Sequence, residues 1–172
     1  MDIKLRLWQN EDLPLILAWR SNPLVYKRFY QQFQSGDAMA WEEHVAWNES
    51  RNSDWRNFII LYEGRPAGVV NIGQLDNWEP EIGVYIGELA LWGKGIGKES
   101  VRLGVEWIRD YAKTHKHVVA VIATILDNNE RSIKLFISLG FKRIADARPK
   151  ESLYRKWLDC FERKGVHLEE DV

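Results

Sequence analysis

The sequence of 172 residues contains one cysteine, Cys160, which excludes an internal disulfide framework and offers no cysteine spacing for a metal. It contains no apolar run that approaches the length of a membrane span, and its first twelve residues lack the apolar segment of a signal peptide. Lysines and arginines are scattered and the net charge is −1, so no basic stripe is available for nucleic acid. These absences predict a protein of a reduced, cytosolic setting that binds neither nucleic acid nor membrane.

Tryptophan, by contrast, is abundant, with nine copies in the chain. Six of them precede the glycine-rich run described below: Trp8, Trp19, Trp41, Trp47, Trp55 and Trp78. Large aromatic side chains fill cores and grooves, and they also line pockets for small molecules. Both interpretations stay open for these residues.

The length predicts a single domain over residues 1–172, with residues 165–172 as a solvated tail. Alternating or continuous apolar runs predict seven strands, and 3.6-residue periodicity with capping residues predicts the helices. The strands are expected at 3–8, 58–62, 67–72, 81–86, 118–125, 141–145 and 153–161, and the helices at 10–20, 38–49, 95–115 and 129–139 with Gly140 after the last. This order predicts an α+β fold in which an antiparallel meander leads into one β-loop-α-β crossover.

The run LWGKGIGKES at 91–100 places glycine at every second position and then enters a predicted helix. It is not a Walker A loop, because Trp92 stands where the first glycine is needed and Glu99 where Ser or Thr is needed. It is not a dinucleotide fingerprint either, because Lys98 or Ser100 occupies the position of the third glycine.

A third interpretation of the run is a cradle for a pyrophosphate. Gly93, Gly95 and Gly97 allow a phosphate to approach successive backbone N–H groups at a helix N-terminus, and Lys94 and Lys98 supply positive charge. Several N–H bonds to a charged group, at about 1.5–3 kcal/mol each, outweigh the helix dipole. The competing interpretation is a glycine turn that binds no ligand.

Two motifs in this chain resemble those of the GNAT superfamily of N-acetyltransferases. Residues 92–97, WGKGIG, match the family loop Q/R-x-x-G-x-G/A except that Trp92 replaces Gln or Arg. Residues 129–141, NERSIKLFISLGF, match N-x-x-A/S-I-x-L-Y-x-x-x-G-F except for Phe136 at the tyrosine position. The resemblance covers most of the chain. It implies a mixed, mostly antiparallel sheet of about seven strands with about four flanking helices, and two central strands that splay apart.

The resemblance also implies acetyl-coenzyme A as cosubstrate, bound between the strands that end near Ile86 and Ile125, with no metal. It implies contacts of Val84, Tyr85 and Ile86 with the pantetheine arm and the acetyl carbonyl. The remaining implied cofactor residues are Trp92, Gly93, Lys94, Gly95, Ile96, Gly97 and Lys98 at the pyrophosphate, Asn129, whose side chain would hydrogen-bond the pantetheine, and Phe136. Asn129 is also a plain helix N-cap in a second interpretation that does not exclude the first.

Acetyl transfer to an amine needs a neutral nucleophile, whereas an amine with a pKa of about 10.4 is almost fully protonated at pH 7. A positioned carboxylate that removes this proton offsets part of the free-energy cost of forming the neutral amine. Glu81, on the strand that feeds the cleft, is the candidate base; Glu88 and Glu79 are alternatives, and each of the three is otherwise an exposed carboxylate.

The acid that protonates the leaving thiolate is unassigned, because Phe136 has no proton to donate. Tyr85, Tyr154 or a water molecule is a candidate. Alternatively the thiolate leaves unaided, since a thiol pKa of about 8.5 makes it a tolerable leaving group. If catalysis has been lost, the chain is instead an acetyl-coenzyme A-binding sensor or scaffold.

The first two helices of this fold usually form the acceptor side. Residues 17–23, LAWRSNP, and 43–47, EHVAW, resemble segments of bacterial acetyltransferases that act on nucleotide-linked amino sugars. This resemblance makes Trp19, Arg20 and Arg28 candidate acceptor-binding residues, with the arginines facing diphosphate oxygens. Polyamines, aminoglycosides and a protein N-terminus remain alternative acceptors, and the chain is expected to be a monomer or a homodimer.

Overall fold

In the computed structural model of the protein, residues 2–28 and 54–158 are described. The strands are β1 Ile3–Leu7, β2 Arg56–Tyr62, β3 Arg65–Gly73, β4 Glu81–Ile86, β5 Ala120–Leu126, β6 Lys142–Arg148 and β7 Glu151–Trp157. The α-helices in these ranges are α1 Leu13–Arg20, α2 Pro23–Tyr26, α3 Ile96–Thr114 and α4 Glu130–Ser138. The helix predicted at 38–49, the tail at 165–172, and Trp41, Trp47 and Cys160 lie outside the described residues. Within those two ranges, no helix is both long and apolar enough to cross a membrane.

The strands form one mixed sheet in the order β1-β2-β3-β4-β5-β7-β6. Every neighbouring pair is antiparallel except β4 and β5, which are parallel because α3 connects them. The β2–β3 hairpin turns on Glu63 and Gly64, whose positive φ angles of 50° and 77° are those of a tight primed turn. The predicted α+β architecture of seven strands is confirmed.

The two faces of the sheet carry two separate apolar clusters. The larger one lies under α3 and α4 and contains Ile82, with Val84 and Ile86 packed against it. The smaller one, Ile16, Trp19, Ile59 and Val69, lies under α1, and Tyr85 packs against it. Because side chains alternate along a strand, β4 therefore presents its even-numbered residues to α3 and its odd-numbered residues to α1.

The first predicted helix is divided in the structure. Residues Asn10–Asp12 form a single 3₁₀ turn before α1 begins at Leu13. After α1 ends, the Asn22 side chain accepts a 3.0 Å hydrogen bond from Leu24 N–H and caps the short helix α2. The sequence pattern predicts only a helix end at Ser21-Asn22-Pro23. The same residues also start a helix, because proline is favoured at the first helical position.

Helices α3 and α4 end close to the predicted positions. Gly140 follows α4 with a φ of 86°, and Phe141 N–H donates to Phe136 O at 3.1 Å, as expected for a glycine that closes a helix C-terminus. Helix α3 packs closely on the sheet at Gly104, where a Cβ atom would lie 2.7 Å from Ile82 Cδ1. Nearer the start of the helix, a Cβ on Gly97 would lie 3.9 Å from Ile86 Cγ1, so the start of α3 lies beside the end of β4.

Candidate functional site

Strands β4 and β5 separate almost as soon as they meet. Among the described residues, Glu81 and Ile122 form the one pair between them, and Ile122 N–H donates to Pro80 O at 3.0 Å. Since backbone groups alternate in direction along a strand, the N–H and C=O groups of even-numbered β4 residues point toward β5. The opening after Glu81 confirms the predicted divergence of the two central strands.

A cavity of about 690 Å³ occupies this opening, a volume typical of small-molecule and cofactor sites. It reaches both faces of the sheet. On the α3 side it is lined by Ile82, Val84 and Ile86, and on the α1 side by Glu81, Gly83 and Tyr85. One cavity thus connects the start of α3 with the surface beneath α1.

The glycine run forms the α3 end of the cavity. Gly93 and Gly95 have φ angles of 82° and 81°, and Gly95 is the N-cap residue of α3. Having no side chain, Gly95 leaves the first N–H groups of α3 without a side-chain cap, and a Cβ built on it would meet nothing within 4 Å. Ile96, Gly97 and Lys98 line the cavity directly after it, whereas Lys94 is exposed and outside the lining.

Trp92 connects this loop to its surroundings. Its Nε1 donates a 2.9 Å hydrogen bond to the carbonyl oxygen of Ile86, the last residue of β4. The Arg28 guanidinium carbon lies 4.6 Å from the centroid of the indole ring, and that of Arg131 lies 5.3 Å from it. Both distances are within cation–π range.

The Glu81 carboxylate bridges the point where the strands separate. One oxygen accepts a 3.3 Å hydrogen bond from the Thr124 backbone N–H on β5, and the other accepts one of 3.2 Å from Gln74 Nε2. Glu81 is half-buried and lines the cavity.

The two alternative carboxylates have other partners. Glu79 pairs with Arg155 through contacts of 2.6 and 3.1 Å, and Glu88 accepts a 2.9 Å hydrogen bond from Trp19 Nε1. Neither lines the cavity. The structure therefore places Glu81, alone of the three candidates, in the cavity wall.

The candidate acceptor residues divide into two groups. Arg20 and Arg28 line the cavity. Burial lowers the pKa of the Arg20 guanidinium from its ordinary value, and the nearby Tyr85 hydroxyl group partly offsets this effect. Trp19 is 4% exposed and does not line the cavity; a Cβ at Gly87 would lie 2.1 Å from its ring. Trp19 therefore packs under the end of β4.

The two tyrosines that are candidates for the acid lie in different places, and the other two predicted cofactor residues of this region both line the cavity. Tyr85 lines the cavity, whereas Tyr154 is 4% exposed in the larger apolar cluster and outside the lining. Phe136 lines the cavity and packs edge-to-face on Phe141 with ring centroids 5.0 Å apart. Asn129 caps α4 by accepting from Ser132 N–H at 3.3 Å, and it lines the cavity as well.

Several cavity residues were not identified as site residues from the sequence, among them Trp55, Asn71, Thr124 and Arg131. Trp55 was one of six tryptophans with two open interpretations, and its ring packs against Gly73, where a Cβ would lie 2.6 Å away. Asn71 interrupts an apolar strand, which was a usable signal for a polar group facing a site. Thr124 and Arg131 have no such local signal, because their roles depend on what lies across the opening.

Comparison with known proteins yields a family and several relatives. Residues 2–142 match the family model described as an acetyltransferase (GNAT) domain. An uncharacterized protein of Methanocaldococcus jannaschii is 46% identical over 159 residues, which are 88% of this chain and 30% of that protein. The chain thus spans less than a third of that relative.

Solved structures show the same fold. The crystal structure of a domain from Methanocaldococcus jannaschii superimposes with a TM-score of 0.82 at 42% identity, covering 91% of this chain and 99% of the other. The aminoglycoside acetyltransferase AAC(6')-Ib in complex with coenzyme A and kanamycin superimposes with a TM-score of 0.76 at 16% identity, covering 95% and 99%. The family match extends from β1 through the glycine loop to α4, and the chain belongs to the GNAT acetyltransferase family.

Proposed function

We propose that this protein transfers the acetyl group of acetyl-coenzyme A to a primary amine, by direct attack of the amine in a ternary complex. The observation that carries the proposal is the opening between β4 and β5 after the single Glu81–Ile122 pair, with the glycine loop at one end. Acetyl-coenzyme A supplies the activated acyl group and a thiolate leaving group. The aminoglycoside acetyltransferase AAC(6')-Ib has this fold, and it is seen in complex with coenzyme A and the aminoglycoside kanamycin.

The residues at the glycine loop fit this cofactor. A pyrophosphate needs several N–H donors and free space in front of them, and the uncapped start of α3 at Gly95 offers both. Lys98 adds a positive charge in the cavity wall. On β4, the backbone groups of Val84 face the opening and suit the amides of a pantetheine arm. Ile86 contributes its N–H, since its carbonyl accepts from Trp92.

Glu81 is our candidate for the base that removes the proton from the attacking amine, directly or through water. Its two hydrogen bonds hold the carboxylate at the mouth of the opening, on the face that Tyr85 and Arg20 share. Tyr85 is the better placed of the two tyrosines to protonate the departing thiolate, since it lines the cavity. Phe136 supplies packing beside the opening but no proton.

The charges in the cavity favour an acceptor that carries negative charge. Among the described lining residues, Arg20, Arg28, Lys98, Arg131 and Lys134 are cationic and Glu81 is the one carboxylate. A pocket for a polyamine or an aminoglycoside needs several carboxylates to attract the cationic ligand. Part of this positive charge serves the cofactor, but buried Arg20 lies on the α1 side, away from the glycine loop. We therefore favour an amino sugar linked to a nucleotide diphosphate, with Arg20 as a phosphate or carboxylate partner.

The function is tested by a thiol-release assay with acetyl-coenzyme A and four groups of acceptors. These are amino-sugar nucleotides, polyamines, aminoglycosides and peptides with a free N-terminus. We expect turnover with an amino-sugar nucleotide and little with polyamines. Tight cofactor binding without turnover on any amine contradicts the enzymatic proposal and supports the sensor or scaffold alternative that Phe136 motivated. Absence of cofactor binding by calorimetry contradicts both.

A further inference from the structure

A second cavity of about 360 Å³ adjoins the first at the junction of α2 and α4. The two cavities share Arg28, Asn129 and Arg131, and the second is otherwise lined by Lys27, Asn128 and Glu130. Its carboxylate is already engaged, because Glu130 pairs with Lys134 at 3.2 Å. The lining is therefore rich in positive charge.

The two arginines are held together although they repel each other. Both guanidinium carbons lie over the Trp92 ring, at 4.6 and 5.3 Å from its centroid. In the part of the chain that the structure describes, no carboxylate pairs with either arginine. The repulsion between two like charges beside one aromatic ring is offset when an anion lies between them.

Side-chain contacts in this region place the arginines next to the glycine loop. The Asn129 side chain, which caps α4, also donates a 3.4 Å hydrogen bond to Arg28 O. A guanidinium nitrogen of Arg131 lies 3.3 Å from the position that a Cβ of Gly93 would occupy. Arg28, from the segment after α2, and Arg131, from α4, thus meet over a residue of the loop itself.

We propose that Arg28 and Arg131, positioned by the Trp92 ring, form a phosphate subsite outside the glycine loop, and that its ligand is the 3′-phosphate of coenzyme A. This inference rests on the proposed function, because it assumes that acetyl-coenzyme A is the cosubstrate. The pyrophosphate and the 3′-phosphate are separate anionic groups of that molecule. The start of α3 suits the first, and two adjacent guanidiniums suit the second, since guanidiniums bind phosphate oxygens in a bidentate manner. Trp92 is a positioning residue in this arrangement.

The test compares acetyl-coenzyme A with its 3′-dephospho analogue by calorimetry on the full chain. We expect the wild type to bind the dephospho analogue about tenfold or more weakly. In the Arg28→Gln, Arg131→Gln double variant, affinity for acetyl-coenzyme A should fall to that of the analogue, and affinity for the analogue should not change. Arg65→Gln, an exposed arginine in the β2–β3 hairpin, is the matched control and should retain the discrimination.

A second arm distinguishes the source of the phosphate. UDP is titrated into the wild type and the double variant, each saturated with the dephospho analogue. If UDP binds to the wild type but not to the double variant, the arginines form a phosphate subsite, but its ligand is the acceptor and not the cofactor.

The proposal is overturned if the wild type binds both cofactor forms equally and UDP binding does not depend on the arginines. It is also overturned if the double variant weakens both cofactor forms alike, since that indicates a structural role. Absence of any acetyl-coenzyme A binding by the wild type refutes the proposed function itself and is thereby distinguishable from these results.

Discussion

The carboxylate of Glu81 on β4 accepts a hydrogen bond from the backbone N–H of Thr124 on β5, with 3.3 Å between oxygen and nitrogen. Among the described residues, Glu81 belongs to the one pair that joins the two strands, and Thr124 lies two residues beyond its partner Ile122, on the other side of the opening. The side chain thus continues the contact between β4 and β5 where the backbone ladder stops. The candidate base is consequently held in the cavity wall at the point where the two strands separate.

Replacing Glu81 with glutamine should reduce kcat by about 10²–10⁴-fold, the usual contribution of general base catalysis. Glutamine has the same shape and its side-chain oxygen can accept from Thr124 N–H, but it does not take a proton from an amine. The dissociation constant for acetyl-coenzyme A should stay within about twofold of the wild-type value, since the lost interaction belongs to the transition state. Steady-state thiol-release kinetics and calorimetry measure the two quantities.

The matched control for this variant is Glu106→Gln on the exposed face of α3, which is not part of the cavity lining. It should leave kcat unchanged. A Glu81→Gln enzyme with wild-type kcat would rule out Glu81 as the base.

Replacing Gly95 with aspartate should weaken acetyl-coenzyme A binding about 10–100-fold more than replacing it with asparagine. Asparagine and aspartate have the same shape, and both tolerate the positive φ of 81° better than other side chains. The space around a Cβ at this position is open, so neither side chain meets a steric clash. The difference in affinity therefore isolates the charge that aspartate places in front of the start of α3.

Calorimetry on both Gly95 variants measures the difference, and thermal unfolding should show similar stabilities. Equal cofactor affinities for the two variants would contradict the pyrophosphate cradle.

Replacing Gly87 with alanine should lower the free energy of unfolding by about 1–3 kcal/mol through overpacking. The new Cβ would lie 2.1 Å from the buried ring of Trp19, and φ of Gly87 is not positive, so the cost is steric. In a Trp19→Leu background, the same substitution should cost less than about 0.5 kcal/mol, because the ring is gone. Urea unfolding of the wild type, both single variants and the double variant measures the two costs. Equal costs in both backgrounds would show that Trp19 does not determine the need for glycine at position 87.

The pair of Arg6 and Asp12 predicts a pH-dependent contribution to stability. The Arg6 guanidinium donates to both Asp12 oxygens at 3.0 and 2.8 Å and holds the pKa of that carboxyl below its ordinary value. A carboxyl whose pKa is lower in the folded state stabilises the fold above its unfolded pKa of about 3.9, and this stabilisation is lost as the pH falls through the folded pKa.

Asp12→Asn should therefore lower the free energy of unfolding at pH 7 by about 0.5–1 kcal/mol, with the difference from wild type shrinking below pH 4. Urea unfolding at pH 7 and pH 3 measures both differences. Asp110→Asn, whose carboxylate is exposed beside Lys113, is the control and should change little at either pH. A difference for Asp12→Asn that is as large at pH 3 as at pH 7 would contradict an ionic origin.

Local patterns in the sequence were sufficient for the order of elements and for the glycine loop. The β-branched run at 118–125 predicted a buried strand, and β5 occupies 120–126. Gly95 predicted a helix start that carries no side chain, and glycine also adopts the positive φ found there readily. The division of the first helix at Leu13 was not predicted. The short helix α2 was missed as well, since Pro23 both follows the end of α1 and starts α2.

Residues of the candidate site that act across the opening could not be found in this way. Among the three candidate carboxylates, the sequence favoured Glu81 by its position on a strand. The sequence could not show that Glu79 pairs with Arg155 or that Glu88 accepts from Trp19, because these partners are distant in the chain. The roles of Tyr85 and Tyr154 likewise depend on which face of the sheet each side chain occupies.

By itself the sequence determined the strands, the principal helices and the bare backbone before α3, because periodicity, capping and glycine conformations act over a few residues. Tertiary structure alone decided that β4 and β5 part after Glu81, that Trp19 packs beneath Gly87, and that Arg28 and Arg131 meet over Trp92. The contact between Arg28 and Trp92 joins residues far apart in the chain. Such contacts depend on how the helices pack on the sheet, and no local pattern encodes that packing.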